Sequence, residues 1–351
     1  MHRREFLGLA GAACLALPRA TRAATRAAAA PAVPAAAVPH VMTVRGLVPA
    51  AALGVTLPHE HVLVDFVGAA EISPARYDAD VAFAKIRPVL DEAHALGCRT
   101  LCECTPAYLG RDPRLLVRLS AATGLHLVTN TGYYAARQNK FLPAHALTED
   151  AAQLAARWIA EWRDGLDGTG VRPGFIKIGF DAGPLAPTSR TLVQAAARTH
   201  RATGLVIAAH TGDQTAALAQ LAIVRDEGVD PSAWIWVHAQ NAKDPAALVT
   251  VAQAGAWLSF DGVAPSTLAR HLAAVADLKR QGFLDRLLVS HDAGWYRPGE
   301  PDGGAFRGYD TLFRAFLPAL RRDGFTEADI HRLVVENPAR AFALRTTAAA
   351  R

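Results

Sequence analysis

Four histidines, a lysine and an aspartate stand near the ends of short apolar runs in this 351-residue chain, and they are the side chains a metal site would need. They are His59 and His61 in Pro-His-Glu-His-Val, Lys177 in Phe-Ile-Lys-Ile-Gly, His210 in Ala-Ala-His-Thr-Gly, His238 in Trp-Val-His-Ala, and Asp292 in Val-Ser-His-Asp-Ala-Gly. In an extended strand residues i and i+2 face the same way, so His59 and His61 can chelate one cation while Glu60 points away. Singly, each signal is weak, because a lone strand-end histidine is more often a satisfied core residue. Recurrence at the ends of different strands makes the set strong. A lysine in the middle of an apolar strand is costly unless it has a partner or a task. Imidazole and carboxylate ligands suit zinc, with manganese, cobalt and iron open to the same side chains.

Such a set must be carried by a repeating scaffold. From residue 53 onward, runs rich in Val, Ile and Leu alternate with capped amphipathic segments, the pattern of βα units around a parallel sheet. Strands are predicted at 55–64, 99–105, 125–131, 174–179, 205–210, 234–238, 256–260 and 286–291. Eight strands close a barrel, so the fold class is α/β, a single (β/α)8 TIM barrel over residues 40–345 with its active site at the C-terminal rim of the strands. Asp244-Pro245 and Thr188 read as helix starts, Gly204 and Gly255 as stops, and Thr326 to Asp329 as a capping box. The long connections 131–147, 180–187 and 293–308 all follow strands, where active-site loops belong. Within the last, Trp295, Tyr296 and Phe306 are candidate pocket walls, and His291 is expected to support the site rather than ligate. Trp158 and Trp162, four apart, are helix packing. Cys98, Cys102 and Cys104 are read as buried packing rather than a soft-metal site.

Composition narrows the function further. Half the residues are hydrophobic and a fifth charged, which fits a globular enzyme and excludes disordered or fibrous classes. Of the formal charge of +5, residues 1–39 hold +4, so the rest of the chain lacks the basic surplus that nucleic-acid binding requires. The leader opens Arg3-Arg4-Glu5-Phe6-Leu7 and continues in an apolar stretch too short to span a bilayer. Residues 1–23 are expected to be a twin-arginine export signal, 24–39 an Ala/Pro-rich linker, and 346–351 a tail. The mature protein would be periplasmic or secreted, with no stable membrane insertion. Its partner would be a small-molecule substrate, and a homodimer stays open.

With Thr43-Val44-Arg45-Gly46 ahead of Pro58-His59-Glu60-His61, Gly110-Arg111-Asp112-Pro113, Thr131-Gly132-Tyr133-Tyr134 and Glu336-Asn337-Pro338-Ala339-Arg340, residues 40–345 resemble the phosphotriesterase-like branch of the amidohydrolase superfamily. The resemblance implies two divalent metal ions. His59, His61 and Asp292 would bind the more buried one and His210 and His238 the more exposed one. Lys177 would bridge them after its neutral amine takes up carbon dioxide as a carbamate. A metal-bridging hydroxide would then attack the substrate, with Asp292 accepting the proton. No Gly-x-Ser-x-Gly elbow follows any strand, so a serine nucleophile has no support.

The chain also departs from the family. Asn241 and Gly262 occupy positions where phosphotriesterases of this branch place a proton relay, and Gly262 also replaces the arginine of lactonase-type members. Tyr134 matches the tyrosine that lactonase-type members aim at the metals, which favours a carboxyl ester or lactone substrate over an organophosphate triester. A non-catalytic ligand-binding barrel is the reading from another class, and the intact ligand set argues against it.

Overall fold

A computed structural model describes residues 38–345. The proposed export signal, the tail and all but the last two residues of the Ala/Pro segment lie outside them.

Eight parallel strands follow in chain order: β1 (Thr56–Leu63), β2 (Thr100–Glu103), β3 (in two pieces, His126–Val128 and Asn130–Thr131), β4 (Phe175–Phe180), β5 (Val206–Thr211), β6 (Trp234–Val237), β7 (Trp257–Asp261) and β8 (Leu287–Ser290). Each pairs in parallel with the next. The ring closes at the β8–β1 seam, where Asp292 N–H donates to the His59 carbonyl at 3.1 Å and His61 N–H to the Ala293 carbonyl at 2.9 Å. Just past β8, Gly294–Tyr296 lies parallel to β1 and extends the seam. The predicted strands agree with these to within a few residues.

Seven of the intervening helices are α1 (Ala79–Ala95), α2 (Pro113–Thr123), α3 (Ala151–Asp164), α4 (Pro187–Thr203), α5 (Gln214–Asp226), α6 (Pro245–Gln253) and α7 (Leu268–Arg280), and the chain after β8 adds α8 (Leu317–Arg322). Asp244 caps α6 and the Thr326–Asp329 capping box forms, both as the sequence reads. Thr188 does not cap α4: the helix begins one residue earlier at Pro187, whose fixed φ already suits a first helical turn. Gly204 ends α4 at φ +77°, a conformation open to glycine at no steric cost.

Inside the ring, Cys102, Val128, Phe175, Val206, Ile235, Trp257 and Leu288 pack as one buried cluster. The strands' other faces meet the helices in a second, larger core that takes in Cys98 and Trp158. Cys98, Cys102 and Cys104 are buried and free, so packing is their role. A hairpin, His40–Thr43 with Gly46–Pro49, and the C-terminal helix Asn337–Phe342 approach the N-terminal end of the ring, where Val41 and Phe342 join the interior cluster.

The family-like motifs outside the metal set prove to be joints. The Arg111 side chain is buried, donating to the Asn130 carbonyl and to Glu161, while Asp112 caps α2. Asn337 donates to the carbonyls of Leu284 and Leu287, tying the last helix to the start of β8.

Candidate metal centre

The six singled-out side chains converge at the C-terminal mouth of the ring. His59 and His61 come from β1, Lys177 from β4 and His210 from β5; His238 follows β6 by one residue and Asp292 follows β8 by two. Extended backbone was expected through position 238, yet His238 and Asp292 both sit at positive φ, 66° and 54°. A left-handed turn costs a non-glycine residue about 1–2 kcal/mol, so something must hold it. At His238 the holder is Asp261, whose carboxylate accepts both the backbone N–H, at 3.1 Å, and the ring Nδ1, at 2.5 Å. At Asp292 it is the seam bond to His59.

Nε2 of His61 lies 3.1 Å and Nε2 of His59 3.7 Å from Oδ1 of Asp292. Nζ of Lys177 is 3.4 Å from Nε2 of His59, and Nε2 of His238 is 4.0 Å from Oδ2 of Asp292. The rings of His210 and His238 meet edge to face at 4.4 Å, and the Tyr134 ring stands 4.9 Å from His210. All six side chains and Tyr134 line one cavity of about 110 Å³, completed by Val64, Phe66, Cys104, Leu109, Arg137 and Trp295. Trp295 is therefore a wall, whereas Phe306 packs on Tyr309 and Tyr296 on Tyr77.

The far sides of three of the four imidazoles are occupied. A carboxylate only accepts, so Asp261 fixes Nδ1 as the protonated nitrogen of His59 (2.7 Å) and of His238, leaving each Nε2 lone pair turned to the cavity. Nδ1 of His61 is 2.8 Å from Thr105 Oγ1. Burial, with help from the charge of Lys177, pushes His59 down to about 4; burial and the neighbouring His238 hold His210 well below the usual range. Both are neutral near pH 7, the state a metal ligand must have. Burial pulls His238 down as well, but Asp261 outweighs it and the net shift is upward. Asp292 is held below the usual carboxylate range: burial opposes this, and His59 and His61 prevail. Burial, reinforced by Asp292, raises Tyr134, which remains a phenol. The donor set fits a divalent cation, with His59, His61 and Asp292 near enough to share one.

Three supports escaped the sequence reading. Asp261 figured there only as the residue before Gly262. Gln240 clamps it, donating from Nε2 to Oδ1 at 3.2 Å and accepting the Asp261 N–H at 3.3 Å. Glu60, expected to face away from the mouth, does so and is fully buried at the seam. It accepts Ser290 Oγ–H (2.7 Å), His291 N–H (2.9 Å), His291 Nδ1–H (2.7 Å) and Ala293 N–H (2.8 Å). His291 is thus a support, with its Nε2 accepting the Leu312 N–H at 2.9 Å. The alternation that aims His59 and His61 inward aims Glu60 at β8, which was the available signal. His271, given no role, is buried with Nδ1 on the Thr267 carbonyl and its ring beside Gly262.

A parallel eight-stranded ring with a cluster of imidazoles and a carboxylate at its C-terminal mouth defines a barrel of the metal-dependent hydrolase class. The model of the phosphotriesterase family matches residues 39–342, and the chain belongs to that family. It is 31% identical over 293 residues to a phosphotriesterase homology protein of Escherichia coli (strain K12), an alignment covering 82% of this chain and 98% of the relative. The solved organophosphorus hydrolase from Deinococcus radiodurans superposes with a TM-score of 0.78 at 31% identity, covering 87% of this chain and 98% of that one. A structure described as organophosphate hydrolysis activity engineered from a weak promiscuous lactonase template gives 0.77 at 31% identity, covering 86% and 99%.

Proposed function

We propose that the protein is a binuclear metal-dependent hydrolase that cleaves a carboxyl ester or lactone of a small molecule. His59, His61 and Asp292 would hold one divalent ion, most suitably zinc, and His210 and His238 the other, with Lys177 as a carbamate between them. Two cations so held supply an activated water and polarise the oxygen of the electrophile. The protein's own share is positional. Asp261 fixes two imidazole tautomers, Asp292 stands at the cavity edge as the acceptor of the proton that hydrolysis releases, and the apolar wall limits water. Tyr134, a phenol beside His210, would donate to the substrate.

The observation that carries the reading is Lys177. Its amine is fully buried among the ligating side chains and makes no ion pair with a described carboxylate. A buried, unpaired ammonium is expensive, and carbamate formation turns that liability into an anion between the two ligand groups. Carboxyl rather than phosphoryl esters are favoured by Tyr134 and by Asn241 and Gly262 standing where a proton relay would be; organophosphate triester hydrolysis is the competing reading, supported by the solved structures above. Metal analysis after reconstitution with zinc and bicarbonate is expected to give two equivalents per chain, with lactones and aryl esters turned over faster than phosphotriesters. A count near zero, or phosphotriesters as the preferred substrates, overturns it. The leader supports export by the twin-arginine route: Arg3→Lys with Arg4→Lys should leave the precursor in the cytoplasm, and unchanged export refutes the assignment.

A further inference from the structure

Two chambers open onto the metal cluster, and their chemistry differs. The inner one, about 110 Å³, is small for a ligand pocket and walled mainly by Val64, Phe66, Leu109, Tyr134 and Trp295, with Arg137, whose guanidinium stacks on the Phe66 ring, as its one cationic side chain besides Lys177. The outer one, about 590 Å³, is lined by Gln240, Asn241, Ser266, Thr267 and Arg307, with no aliphatic side chain larger than alanine. Both include His210, His238 and Asp292. A substrate reacting at the cluster therefore meets a small, mainly apolar space on one side and a broad polar one on the other.

Arg307 supplies the fixed positive charge of the outer chamber. Its backbone is held by a reciprocal pair of hydrogen bonds with Gly294, both 3.0 Å. The preceding Phe306 packs on Tyr309, whose hydroxyl donates to the His61 carbonyl at 2.7 Å. One guanidinium N–H donates to the Asp292 carbonyl at 3.1 Å, and among the described residues no carboxylate pairs with Arg307. The two acids of this chamber are committed elsewhere, Asp261 to His59 and His238, and Asp292 to the cluster. An exposed arginine docked beside the reacting centre, with donors to spare, matches the planar oxyanion of a carboxylate or the oxygens of a phosphate or sulfonate.

We propose that Arg307 binds an anionic group on the leaving half of the substrate, so that the compound cleaved is a short-acyl ester whose alcohol part carries an oxyanion. The proposal rests on the ester reading above. In the reaction water adds across the acyl C–O bond: the acyl carbon gains the water oxygen, and the alcohol oxygen departs with a proton, still bearing its anion toward Arg307.

The test compares 4-acetoxybenzoate with its methyl ester, methyl 4-acetoxybenzoate, on the metal-loaded wild type, R307Q and R307K, and measures 4-hydroxybenzoate binding by calorimetry. Wild type should favour the carboxylate about tenfold in kcat/KM, the size of a charge-assisted hydrogen bond at a partly exposed site. R307Q should bring that ratio to within about twofold through KM, R307K should keep part of it, and about 0.5 M NaCl should erode it in wild type by screening. The product 4-hydroxybenzoate should bind wild type about tenfold more tightly than R307Q. Damage to the Asp292 carbonyl contact alone would slow both esters equally. An absent preference in wild type, a preference that survives R307Q, or unchanged product binding overturns the proposal. Should neither ester be hydrolysed, the ester reading fails, and the binding comparison still decides the role of Arg307.

Discussion

Asn in place of Asp261 tests whether the centre depends on a residue that never needs to touch metal or substrate. The carboxylate accepts from Nδ1 of His59 at 2.7 Å, from Nδ1 of His238 at 2.5 Å and from the His238 backbone. An amide keeps one acceptor oxygen and presents an NH₂ to the other imidazole, where two donors then face each other. Relief requires that ring to change tautomer, which moves its proton onto Nε2, where the cation would sit. Loss of a partner behind a metal-bound histidine lowers affinity about 10–100-fold, and because Asp261 serves two such rings the upper end, about 2.7 kcal/mol, is expected. The metal-free chain should also lose about 1–3 kcal/mol from one buried donor left without an acceptor. Competition against a chromophoric chelator gives the affinity, and thermal unfolding with and without EDTA separates it from folding. If D261N binds metal within about threefold of wild type, the tautomer argument is wrong.

Lys177→Ala should abolish turnover and regain part of it with added short-chain carboxylic acids, whereas Lys177→Glu should keep some metal; full metal and activity in Lys177→Ala would mean the bridge is misassigned. The metal-free chain should lose stability as pH falls from 6.5 to about 4, because the unfolded chain takes up a proton at His59 that the folded chain refuses, and His210 acts in the same sense. Melting curves in EDTA that stay flat across that window refute it. Gly132→Ala should cost both fold and metal, since Gly132 sits at φ +113° and a Cβ would run into the backbone of Lys177; Gly262→Ala should be milder, its Cβ meeting no backbone and only the side-chain Nε2 of Gln240 at 3.1 Å. Paired melting and metal titration of the two variants check the contrast.

The barrel was legible because its strands are apolar runs of ordinary length and its helices carry their own stops. The ligands were legible as a set, because imidazoles and a carboxylate recur near the C-terminal ends of different strands and a lysine stands inside an apolar one, although each alone is a weak signal. What stayed hidden depends on contact across the ring. Asp261 lies on β7 and acts on β1 and β6, and no local pattern links it to His59, which is 202 positions away in sequence. The left-handed turns at His238 and Asp292 were hidden for a similar reason, since Asp261 and the seam impose them. Arg111 had a motif but no visible task until its buried pair with Glu161 appeared.

Glu60 gives the barrel an order of assembly. Its four donors all belong to residues 290–293, so the carboxylate has no partners until the last strand arrives. The same arrival delivers Asp292 to His59 and His61. A ribosome that has released only the first seven strands therefore exposes an open-sided sheet with an unsatisfied acid at its edge and an incomplete ligand set. Closing the ring and completing the centre become one late event, and a nascent chain cut short before β8 has neither.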